Sequence, residues 1–305
     1  MKSIKCQFQH SINMNFRENI DKHAQKQNGA ISGSTSIYSY NEKFRLLDVS
    51  SNLSNFLKAN YPNVKYIRDI QPMHIQEFLN SKKDCTQQSI NSYIQSLKKL
   101  ERVANKCYGL SNNNMSKIVA PIVTKKQSEL RGATHPITQS NYEKILTYCL
   151  NNPSKSGDCL LLNYACSNSH AFRVQELARI KLDNIAPNGM ITIDNAKGGK
   201  TYMAHCPNLD FLQVTIRKQY DPNGKLLFGI NGNSINKYLS RVCDKLGIDE
   251  KYSFHDIRRF HAQEFYDNLR NNGYDIKNAT LETSKYLGHN TPRERMMTQS
   301  YITIW

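Results

Sequence analysis

The sequence has a single tryptophan and no apolar run long enough to cross a bilayer; its longest, such as Leu160–Leu162, fall far short of a span. Its eight cysteines (Cys6, Cys85, Cys107, Cys149, Cys159, Cys166, Cys206 and Cys243) form no C-x-x-C pair, and none lies in a Cys/His cluster with zinc-finger spacing. Several fall on apolar periodic segments and read as buried reduced thiols. No charged and apolar leader opens at Met1, so the compartment reads as cytoplasmic. No acidic cluster is arranged for Mg²⁺, and no aromatic motif of the kind that stacks RNA bases is visible. The expectation is therefore no metal, no cofactor and no membrane.

Acidic residues are also scarce. Lys and Arg outnumber Asp and Glu 41 to 25, giving a formal charge of +16 and an isoelectric point near 9.4. That excess points to a polyanion, most simply nucleic acid; a soluble basic protein without such a partner is the bland alternative. Hydrophobic content of 39% suffices for globular cores, and 305 residues suit about two domains.

Met1–Ser36 is rich in Asn, Gln, Lys and small residues and reads as a polar N-terminal tail, with Phe16–Gln27 able to form one helix. Residues 37–116 are helical in pattern. Leu46, Val49, Leu53, Phe56 and Leu57 repeat at three-to-four spacing, and Pro72 opens a short helix. Thr86 caps a longer helix that Gly109 closes. The polar side of that helix carries Lys98, Lys99, Arg102 and Lys106, either a solvated face or a phosphate-facing one. Residues 117–136 lack periodicity, hold Lys125 and Lys126, and read as a basic linker. Residues 137–305 form a second domain, with helices capped by Thr138 or Ser140 and by Ser234, and a buried helix over Asp158–Ser167. Its strands Met190–Asn195 and Thr201–Cys206 flank a tight Gly198–Gly199 turn. Asn236, Lys237 and Arg241 are candidate DNA contacts there.

The chemistry gathers late in the chain. S-F-H-D-I-R-R begins at Ser253, and on a helix His255 and Arg258 share a face. L-G-H ends at His289, and Tyr301 follows. Upstream lie A-F-R-V-Q-E-L at Ala171–Leu177 and A-K-G-G-K at Ala196–Lys200. Cations, proton-handling groups and a phenol suit phosphoryl transfer. The ordered set resembles the tyrosine recombinase (phage integrase) family over the C-terminal half.

The resemblance implies a mainly α fold with a small β-hairpin: a helical core-binding domain at 37–116 and an α+β catalytic domain at 137–305. It implies Arg173, Lys197, His255, Arg258, His289 and Tyr301 as catalytic residues, with Lys200 as the alternative to Lys197 and Glu176 as a support for Arg173. The reaction it implies is integrase-type DNA recombination through a 3′-phosphotyrosyl link and a Holliday junction. The partners would be a double-stranded DNA site, a homotetramer on that DNA and an accessory DNA-bending protein, in a bacterial, phage, plasmid or transposon setting. Two other functions are weighed: a type IB topoisomerase-like strand relaxer, and a non-catalytic DNA-binding protein on the same fold. Pro292–Thr298 makes the connection from His289 to Tyr301 longer than many relatives use. Arg259, one residue-step round the helix from Arg258, is expected to point away from the site.

Overall fold

Ile4, Phe8 and Ile12 recur every fourth residue, and this stripe folds the first residues into helix α1 (Ile4–Asn15), with the Ser3 side chain accepting from the Cys6 amide. All three side chains are buried in a hydrophobic core, so the first half of the expected polar tail is part of the fold. Phe16 ends α1 in extended backbone and pairs with Ile37, so the helix expected from Phe16 does not start there. The computed structural model describes residues 3–18, 35–111, 114–121, 136–196, 200–289 and 294–304. The rest of the Phe16–Gln27 helix and most of the basic linker lie outside them.

The chain divides into two units, Met1–Ser128 and Glu129–Trp305. In the first, α1 packs on α2 (Tyr40–Asn60) and α4 (Gln87–Tyr108), with α3 (Pro72–Asn80) beside α2. Leu46, Leu53 and Leu57 of α2 meet Leu97, Leu100 and Val103 of α4 in one core. Each buried side chain of this size contributes about 1.5–3 kcal/mol relative to exposure. Thr86 accepts from the Ser89 amide at the start of α4, and Gly109 closes it with φ +63°. The left-handed conformation strains residues with a Cβ, and glycine adopts it freely.

The second unit opens with α5 (Gln139–Asn151), capped by Thr138, and α6 (Lys155–Ala165), capped by Ser154. A one-turn helix α7 (Val174–Ala178) follows Arg173. Strands β1 (Met190–Ala196) and β2 (Lys200–His205) pair antiparallel, Ile191 with Ala204 and Ile193 with Tyr202. Ile191, Ile193 and Ala204 are buried, whereas Thr201 and Met203 face outward, the alternation a half-buried hairpin requires. Then come α8 (Leu209–Arg217), α9 (Gly232–Lys245), α10 (Phe254–Asn271), α11 (Ile276–Tyr286) and α12 (Glu294–Ser300). The cap of α9 is Asn231, which accepts from the Ser234 amide at 3.0 Å, so Ser234 lies inside the first turn. Within the expected Pro292–Thr298 connection, residues from Glu294 belong to α12.

One large core joins α5, α6, β1, α9 and the start of α10. A smaller cluster of Ala171, Ala262, Tyr266, Leu287, Met297, Tyr301 and Ile302 joins the segment before α7 to α10, α11 and the chain's last residues. Among the described residues the fold is mainly α with this one small sheet, as the motifs implied.

Candidate active site

Arg258 is the largest fully buried side chain among the described residues, with 0% exposure. A buried guanidinium needs acceptors. Its Nη1 donates to the Ala171 carbonyl, and its Nη2 donates to the Leu287 carbonyl at 2.7 Å. Arg173 reaches the same Leu287 oxygen with its Nη2 at 3.3 Å. One backbone oxygen therefore draws together two cations from distant parts of the chain.

Glu176 sets Arg173 in place. Its carboxylate accepts from the Arg173 amide at 2.7 Å and from Arg173 Nη1 at 2.6 Å, capping α7 as it does so. Burial is the largest single influence and would raise the Glu176 pKa, but the Arg173 charge together with hydrogen bonds from Tyr202 and Arg173 outweighs it, and the net shift is downward. Burial and the neighbouring Arg173 lower the Arg258 pKa, opposed by Tyr301 and Glu176. An arginine remains charged under such a shift.

Leu287 ends α11, and Gly288 follows with φ +66°. A Cβ there would lie 3.2 Å from Tyr202 Cε1 and 3.6 Å from His170 Cε1. Glycine thus allows the chain to turn tightly against β2 and present His289, whose Nδ1 lies 3.5 Å from Ser284 Oγ.

Tyr301 completes the group. It is 7% exposed. Its ring centre lies 5.3 Å from that of His255 and 5.8 Å from that of His289, both edge-on, with the Arg258 guanidinium 5.8 Å away. Burial by neighbouring atoms, then Arg259 and Arg258, lower the His255 imidazole to about 4. Part of His255 stays exposed, where solvent screens the two arginines, yet the direction leaves the ring neutral at pH 7. A neutral imidazole beside a phenol can accept its proton.

Five of the six residues expected at the site therefore converge: Arg173, His255, Arg258, His289 and Tyr301. Lys197 lies outside the described residues, as do Lys125 and Lys126. Lys98 and Arg102 lie on α4, the first half-buried and the second exposed, and Lys237 and Arg241 are exposed one turn apart on α9. Lys99 is turned inward: its Nζ donates to the Ser36 carbonyl at 2.8 Å, with Glu42 at 3.9 Å, and its side chain is 12% exposed. Asn236 accepts from the Phe254 amide at 2.9 Å and so serves the start of α10. His261, on the same helix as His255, is buried with Nε2 3.0 Å from the Tyr142 hydroxyl.

Residues 135–304, more than half of the chain, match the family model described as "Phage integrase family". The chain belongs to the phage integrase family. As a member it is a tyrosine site-specific recombinase. No curated protein sequence matches it. Solved structures share the integrase fold at low identity. One is XerH site-specific recombinase on palindromic difH substrate in a post-cleavage complex (TM-score 0.61, 16% identity, 97% of this chain and 93% of that one). Another is the Tn1549 transposon integrase with transposon right end DNA (0.58, 13%, 97% and 94%). A third is a lambda integrase tetramer bound to a Holliday junction (0.58, 15%, 93% and 79%).

Two features of this integrase site escape sequence reasoning. The Ala171 and Leu287 carbonyls that seat the arginines are backbone atoms without a residue signature. His170 is 3% exposed, its ring centre 4.4 Å from that of Tyr202, and burial followed by the Arg258 charge pushes its pKa down to about 3. A histidine just before the A-F-R motif was the available signal.

Proposed function

We propose that this integrase cleaves and rejoins DNA at a specific double-stranded site with Tyr301 as the nucleophile. The observation that carries the reading is the gathering of His255, His289 and Arg258 around the Tyr301 ring, with Arg173 sharing the Leu287 carbonyl. The Tyr301 oxygen attacks the scissile phosphorus and its proton passes to neutral His255. Arg173 and Arg258 hold the non-bridging oxygens with planar paired donors, which lysine cannot imitate, and His289 adds a hydrogen bond. The bond from phosphorus to the 5′ oxygen breaks, and Lys197, which lies between β1 and β2 in sequence, protonates that oxygen. The products are a 3′-phosphotyrosyl link and a free 5′-hydroxyl, so the phosphodiester energy is retained for rejoining.

Exchange between two duplexes needs four cleavages, hence four protomers on DNA passing through a Holliday junction. The tetrameric form of the lambda integrase structure supports this assembly. An accessory DNA-bending protein, and a phage, plasmid or transposon element in the bacterial cytoplasm, complete the proposed setting. No described helix is long and apolar enough to cross a membrane.

Two differently labelled duplexes carrying the recombination site test the reading. Hybrid duplexes joining the two labels are expected. Relaxation of supercoils without hybrids would identify a topoisomerase-like enzyme, and binding without either product a non-catalytic DNA-binding protein.

A further inference from the structure

His255, Arg259 and Gln263 follow one another at four-residue intervals on α10, so they lie along one side of that helix. Two of them grip the backbone on either side of Tyr301. Arg259 Nε donates to the Ser300 carbonyl at 2.9 Å. Gln263 Nε2 donates to the Thr303 carbonyl at 3.2 Å, and Gln263 Oε1 accepts from the Thr303 amide at 2.6 Å. Arg259 is 8% exposed and is itself held, because its Nη1 donates to Asp256 Oδ1 at 2.8 Å. The other oxygen of Asp256 accepts from the Ser253 amide and hydroxyl, both at 2.7 Å. The chain of bonds thus runs from the start of α10 to the carbonyl just before Tyr301.

We propose that Arg259 and Gln263 are positioning residues that latch the Tyr301 segment, within the same chain, onto the helix that carries His255 and Arg258. The role rests on the reading of Tyr301 as nucleophile. Apolar anchors alone would leave the segment's register open. Met297 and Ile302 are buried at 0% and 1%, but apolar contact is non-directional and tolerates sliding. Hydrogen bonds to the carbonyl of Ser300 and to both backbone groups of Thr303 admit one register, and that register turns the phenol toward His255 and Arg258. Because the bonds go to main chain, the latch does not read the side chains of Ser300 or Thr303. The Arg259 cation also meets the C-terminal end of α12, where the backbone dipole favours positive charge.

Three measurements on the full chain test the latch: backbone hydrogen exchange without DNA, DNA affinity, and single-turnover adduct formation on a nicked suicide duplex. Gln263→Leu is expected to speed exchange of the Thr303 amide about three- to tenfold, the loss of one net hydrogen bond. Arg259→Gln and Gln263→Leu are each expected to slow adduct formation about 10- to 100-fold, the usual consequence of a small misplacement, while DNA affinity stays that of the unaltered chain. Arg259→Lys, which keeps a donor for Ser300, should recover part of the rate. Unchanged Thr303 exchange together with unchanged adduct formation overturns the proposal. So does a slowing matched by an equal loss of DNA affinity or by global unfolding. If the unaltered chain forms no adduct, the recombinase reading fails, whereas the exchange measurement still reads the latch itself.

Discussion

The guanidinium of Arg258 lies 5.8 Å from the centre of the Tyr301 ring, beside a cluster of buried residues that includes Ala171, Leu287 and Met297. Arg258 is held from behind by two carbonyls, and Tyr301 covers it from the front. The phenol and the cation thus stand together before DNA arrives.

The two arginines are expected to respond differently to truncation. Arg258 is fully buried, and Arg258→Ala strands the Ala171 carbonyl and leaves the Leu287 carbonyl only its longer bond from Arg173, a loss of about 2–4 kcal/mol. Arg173 is only half-buried, so Arg173→Ala should lower the melting temperature much less. Both should reduce cleavage by about 10²–10³, the range for losing one charge-stabilising donor. Thermal melts beside single-turnover cleavage check the contrast; equal destabilisation by the two changes would contradict it.

His170 makes the fold acid-sensitive. Its folded pKa, about 3, lies below the ordinary 6.5, so the unfolded chain binds the extra proton. The neutral ring's contribution is complete above pH 6.5 and is lost as pH falls toward 3, by about 1.4 kcal/mol per pH unit within that window. Denaturant midpoints should fall between pH 7 and pH 5, and His170→Phe, set among Phe172, Tyr202 and Tyr286, should flatten that slope. An unchanged slope in the variant would remove His170 as the cause.

Gly288→Ala places a Cβ 3.2 Å from Tyr202 Cε1 at a φ of +66°. The strained backbone alone costs about 1–2 kcal/mol. The turn carries the Leu287 carbonyl on one side and His289 on the other, so cleavage should fall by more than the stability loss explains. Cleavage rates measured well below the melting temperature separate the two effects.

Much of this site was legible because its groups are side chains in short, ordered motifs. The H-D-I-R spacing required a helix, and α10 supplies it. Thr86, Gly109 and Thr138 announced element ends through local chemistry that needs no tertiary context. What stayed hidden depends on packing. In α1 three apolar residues at four-residue spacing are outweighed in composition by Asn, Gln and Lys, although three buried contacts suffice to dock a helix. Lys99 shares a charge run with Lys98 and Arg102, yet a 100° step per residue turns it toward Ser36 and Glu42. Arg259 does diverge from Arg258 as the helical step requires, but contrary to expectation it does not leave the site, since its charge bears on His255. The place it diverges to, the carbonyl before Tyr301, is set by where α12 lies.

The most direct test of Tyr301 as nucleophile is to trap the chain on a nicked suicide duplex, digest the conjugate and locate the nucleotide-bearing residue by mass spectrometry. The chain has seventeen tyrosines. The expected result is a nucleotide on Tyr301 alone, and none after Tyr301→Phe. A nucleotide on any other residue, or a conjugate that survives Tyr301→Phe, would contradict the mechanism.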